Sequence, residues 1–67
     1  MLELDVILQP FLKEHFDLLK PNDQNAFIQL LTEADPDLYT WIMGFGECND
    51  PSLSEIIAII RIKMSIA

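Results

Sequence analysis

A chain can do chemistry of its own if it carries a nucleophile beside a base, a set of metal ligands, or carboxylates held at different pKa values. This sequence offers few residues for any of these. It has one histidine, His15, and one cysteine, Cys48. His15 falls one helical turn after Phe11 on an apolar stripe with no serine or cysteine near it in sequence, so it reads as a partly buried structural imidazole. Cys48 has no second cysteine to pair with and no Cys/His cluster around it, so it reads as a free thiol of a reducing compartment, and no metal site is expected. Gly44-Phe45-Gly46 lacks the length and third glycine of a dinucleotide loop and follows a helical pattern rather than a strand; it reads as a helix stop.

The carboxylates are more numerous. Glu14 and Asp17 are three residues apart and share an outward helical face, with Glu3 and Asp5 at the other end of the same segment. Paired carboxylates can move protons or hold a cation, but no pocket is predicted that would raise a pKa, so the pattern reads as a solvated face. No catalytic residue, bound cofactor or metal is expected.

The elements that must carry these residues follow from apolar spacing and from proline. Leu4, Leu8, Phe11, His15 and Leu18 recur at three- and four-residue steps, widened by Ile7, Leu12 and Leu19. This predicts a helix over about 2–19. Pro10 lies inside it, where it lacks an N–H and crowds the carbonyl of Val6, so the helix is expected to bend there rather than stop. A second helix is predicted from Pro21, with Ala26, Phe27, Leu30 and Leu31 as its apolar face. A third uses Asp35 as N-cap and Pro36 as first helical residue, and ends at Gly44 and Gly46. It places Leu38, Trp41 and Ile42 on one face, which makes Trp41 the expected core anchor and Tyr39 the expected exposed aromatic. The last helix has two possible starts, Asp50-Pro51 or a capping box formed by Ser52 and Glu55. Its isoleucines at 56, 57, 59, 60 and 62 are β-branched, yet no second strand exists to pair with them, so helix is predicted.

The fold class is therefore all-α, a small antiparallel bundle of about four helices in one domain of 67 residues. A domain this small buries only about 60% of its unfolded surface, so stability is expected to be modest. At 51% hydrophobic residues the chain is too apolar for a disordered tail, and its longest uncharged apolar run, Ile56 to Ile60, is too short for a membrane span. With no secretory signal recognised, a cytoplasmic protein is expected. Eleven acids against four scattered bases give a net charge of −7, which disfavours nucleic acid and favours a basic protein surface as partner.

Two stretches carry a resemblance. "MLELDVILQPF" at 1–11 and "FIQLLTEADPDLYTWIMG" at 27–44 combine a Leu-Glu-Leu-Asp opening, a central Pro-Phe and a Phe-x-x-Leu-Leu…Asp-Pro-Asp-Leu-Tyr-x-Trp run. Together they resemble the FAD assembly factor family, the SdhE-type proteins of bacteria and their mitochondrial relatives, over Met1 to about Arg61. The resemblance implies a helical bundle, usually of five helices, that binds the flavoprotein subunit of succinate dehydrogenase or fumarate reductase and promotes covalent attachment of FAD, the client's cofactor. It implies no bond-forming chemistry by the chain itself. The family's Arg-Gly-x-x-Glu motif sets its Glu on Glu3, with the Arg and Gly falling before Met1, so the chain is expected to lack that pair and the family's first helix. Glu3 is the foremost expected partner contact, followed by Asp5 and Tyr39. An apolar face left open by the missing helix would permit a monomer or a weak homodimer. The family also implies an alternative, an antitoxin-type module that opposes a membrane-associated toxin.

Overall fold

The computed structural model describes residues 1–66. Its order is α1 (Leu2–His15), a 3-10 turn (Phe16–Leu18), α2 (Pro21–Leu30), α3 (Asp35–Ile42) and α4 (Pro51–Lys63), with no strand among the described residues. Helices of 8 to 14 residues are marginal alone in water. Each must therefore be held by the face it buries.

That face is shared. The side chains less than 2% exposed are Phe11 of α1, Phe27 and Leu30 of α2, Ile42 of α3, and Ile56 and Ile60 of α4. Every helix thus contributes at least one, and each is worth about 1.5–3 kcal/mol relative to exposure. Helix α4 packs against the other three. Its β-branched isoleucines are tolerated because Ile56, Ile57 and Ile60 fill the core, so burial outweighs strand propensity. Around Phe11 the rings of His15 and Phe27 lie 5.5 and 5.3 Å away, and Phe16 meets Phe27 edge-on at 5.6 Å.

Helix α1 continues through Pro10 but stops as an α-helix at His15, short of the expected Leu19. Pro21 is the reason: it drives the preceding Lys20 out of the helical region, to φ −62° and ψ 153°, and the chain must leave the helix before reaching it. Leu18 is consequently turned outward and 83% exposed, off the stripe predicted for it. The Gln24 side-chain amide donates to the carbonyl of Phe16 at 2.9 Å and ties this turn to α2. Leu12 and Leu31, also expected on apolar faces, are exposed as well.

Helix α3 begins one residue earlier than expected. The carbonyl of Ala34 accepts from the N–H groups of Asp37 and Leu38, both at 3.0 Å, so Ala34 is the N-cap and Asp35 is already helical. The helix end follows the expectation at Gly44 alone. Gly44 takes φ +79°, its N–H donates to the Trp41 carbonyl, and the N–H of Phe45 donates to the Thr40 carbonyl at 2.9 Å. This is the paired closure of a Schellman motif. Gly46 does not adopt positive φ; it lies instead against Thr40, whose Cγ2 leaves no room for a side chain there.

The two registers open for α4 resolve to Asp50. Its Oδ1 accepts from the Ser52 N–H at 2.9 Å and from the Ser52 hydroxyl at 2.7 Å, so the Ser52 hydroxyl is committed to Asp50. These two donors hold the Asp50 carboxyl below its ordinary pKa, the hydroxyl contributing most.

Candidate functional site

Helix α1 has two apolar stripes. Leu4, Leu8 and Phe11 face the core, while Leu2 and Val6 face outward at 75% and 66% exposure. Pro10 follows one turn later and is half-buried. These three, with Asp5, Gln9, Lys13 and Glu14, line a shallow groove along the outer side of α1.

The start of α3 lies beside the start of α1. The Met1 amino group donates to Oδ2 of Asp35 at 2.9 Å, and this contact raises the pKa of the amine above its ordinary value. Glu3, Asp5, Asp35 and Asp37 are all exposed acids in the first turns of these two helices. Each favours its own helix dipole. The contact between the helix starts brings Asp35 close to Glu3 and Asp5, since all three carboxylates act on the Met1 amine.

The three residues expected to meet a partner are placed differently. Glu3 and Asp5 are both exposed on the first turn of α1, but only Asp5 lines the groove. Tyr39 is not the exposed aromatic. It is half-buried, packs against the core, and has its ring 6.0 Å from that of Phe45. Phe45, at 71% exposure, is the aromatic presented to solvent. Trp41, expected in the core, packs against it but is only half-buried. It forms one wall of a second open groove with Cys48, Ile57, Ala58 and Arg61.

Residues with potential for chemistry are dispersed. The imidazole of His15 packs on Phe11 and has Nε2 4.0 Å from a Glu14 carboxylate oxygen. Cys48 is half-buried with its thiol 3.9 Å from the Asp50 carbonyl. Among the described residues no group of three or more His, Cys, Asp or Glu could hold a metal ion, and no helix is long and apolar enough to cross a membrane. The α1 groove is where exposed aliphatic side chains and carboxylates line one surface hollow. The spacing of Leu2, Val6 and Pro10 at four-residue steps was the available sign of it, masked by the stronger core stripe beside it.

Comparison with known proteins places this geometry in context. A family model described as flavinator of succinate dehydrogenase matches residues 1–64, which include both grooves. The chain is 46% identical over 57 residues to the FAD assembly factor SdhE of Vibrio cholerae, covering 85% of this chain and 66% of that protein. It is 40% identical over 63 residues to that of Pectobacterium atrosepticum, covering 94% and 72%. Against the protein of the same name from Colwellia psychrerythraea it is 41% identical over 66 residues, covering 98% and 72%. The chain thus spans about two thirds of the length of these curated relatives. No solved structure matches it.

Proposed function

The chain belongs to the family described as flavinator of succinate dehydrogenase, and from that membership we propose that it is an assembly factor. It binds the flavoprotein subunit of succinate dehydrogenase or fumarate reductase in the cytoplasm and promotes covalent attachment of FAD to it. The observation that carries this reading is the similarity to FAD assembly factors over nearly the whole folded unit, residues 1–64. The exposed face of α1 suits such a role, since it offers apolar side chains beside carboxylates.

In this reading the chain supplies binding and positioning, and the client supplies the chemistry. Holding a flavoprotein in a geometry where its own groups react with FAD lowers the entropic barrier without a catalytic group from the helper. FAD is the client's cofactor and is not held tightly by the chain, which acts as a monomer or weak homodimer. Glu3 and Asp5 contact the client directly, and Tyr39 supports the surface through its packing on Phe45.

In-gel flavin fluorescence of the flavoprotein subunit tests the proposal in cells lacking this gene, with and without the gene restored. Fluorescence lost on deletion and regained on restoration is the expected result. Unchanged fluorescence would overturn it and return the antitoxin-type reading.

A further inference from the structure

The geometry points to a specific kind of docking segment for the α1 groove: an apolar stretch of the flavoprotein flanked by lysine or arginine side chains. This rests on the assembly role proposed above. The argument begins with Leu2 and Val6, which stand 75% and 66% exposed on the solvent side of α1, while the same helix fills its core stripe with Leu4, Leu8 and Phe11. With Pro10 they make the apolar part of a groove floor about two helical turns long. Such a floor accommodates two or three apolar side chains of a partner helix or strand.

The rim decides what kind of segment fits. Asp5 and Glu14 line the groove against the single base Lys13. At the Leu2 end Glu3 adds an exposed carboxylate, while Asp35 of α3 is paired with the Met1 ammonium 2.9 Å away. Lys13 and Glu14 offset each other at the far end and the Met1 ammonium is paired with Asp35, so Asp5 and Glu3 leave the Leu2 end negative. A cationic flank on the docking segment matches it and orients the segment along α1. The same charges argue against a second copy of this chain as occupant, because each carries a net charge of −7 and would present the same acidic end.

Titration calorimetry of the purified flavoprotein subunit with this chain, in 50 and 300 mM salt, tests the inference with two variants. Val6→Asp puts a charge on the floor at an exposed position. Asp5→Lys reverses the rim. Wild type is expected to lose affinity at least tenfold between the two salt concentrations, as screening weakens complementary charges. Val6→Asp is expected to bind at least tenfold more weakly with an unchanged urea midpoint. Asp5→Lys is expected to weaken binding at 50 mM salt and to approach wild type at 300 mM, a dependence that a purely structural role does not produce. Wild-type affinity in Val6→Asp, or affinity insensitive to both salt and Asp5→Lys, would overturn the groove assignment while leaving the assembly role intact. Failure of the wild-type chain to bind the flavoprotein at either salt would sink both. A homodimer at the same concentrations that Val6→Asp dissolves would give the groove to a second copy and overturn the inference.

Discussion

Gly44 and Arg61 occupy one space: a Cβ built on Gly44 would lie 2.6 Å from Nη2 and 3.0 Å from Cζ of Arg61. The glycine closes α3 with φ +79°, and the missing side chain lets the guanidinium of α4 lie across that closure. Gly44→Ala is therefore expected to destabilise twice over. The left-handed backbone alone costs about 1–2 kcal/mol for an L-residue, and Arg61 must also move. Thermal unfolding should fall by at least about 4–8 °C in a domain of this size; an unchanged midpoint would show that the turn relaxes freely.

The end of α4 offers the opposite case. Ser65 sits at φ 57° while Ile66 N–H donates to the Arg61 carbonyl at 2.8 Å, a second Schellman closure without its glycine. Ser65→Gly removes the strain and adds back some unfolded-state freedom. A net gain of about 0.5–1 kcal/mol is expected, read as a higher urea midpoint.

Phe27 and Trp41 should separate core from groove wall. Phe27 is 1% exposed and meets both Phe11 and Phe16, so Phe27→Ala is expected to cost about 3–5 kcal/mol. Trp41 lines an open groove and is half-buried. Trp41→Ala is expected to cost about 1–2 kcal/mol, in proportion to the smaller apolar area it removes from water. Equal losses in denaturant titrations would return Trp41 to the core.

Asp50 gives a pH dependence whose sign is fixed. Its carboxyl is held below the ordinary value of 3.8, first by the Ser52 hydroxyl and then by the Ser52 N–H. A depressed folded-state pKa contributes stability that is present above about pH 4 and lost as pH falls through the lower folded value. Asp50→Asn keeps an N-cap acceptor that does not titrate in this range. The difference in urea midpoint between pH 7 and pH 3 should thus be smaller in Asp50→Asn than in wild type.

Glu3→Ala tests the family-implied contact. Glu3 is exposed and lies outside the core cluster. The substitution is expected to lower covalent flavin attachment to the client while leaving the urea midpoint within about 0.5 kcal/mol of wild type. A large fall in the midpoint would make Glu3 a structural residue instead.

The sequence by itself determined the four helices and most of the core. Proline at 21, 36 and 51 marked the helix starts to within a residue, and the steps of Leu4, Leu8 and Phe11 or Ile56, Ile57 and Ile60 marked buried faces, because both signals are local and repeat with the helical period. The tertiary structure decided what locality leaves open. Leu18 and Leu12 fit the apolar period as well as Leu8 does, yet they are exposed, since only the packing of other helices covers a stripe. Tyr39 and Trp41 end alike, both half-buried and packed against the core, Tyr39 with the Phe45 ring beside it and Trp41 on the wall of a groove. Glu3 and Asp5 were visible as acids, but their approach to Asp35 depends on a contact across 34 residues of chain. Such a contact leaves no period in the sequence, because it joins two helices rather than repeating along one.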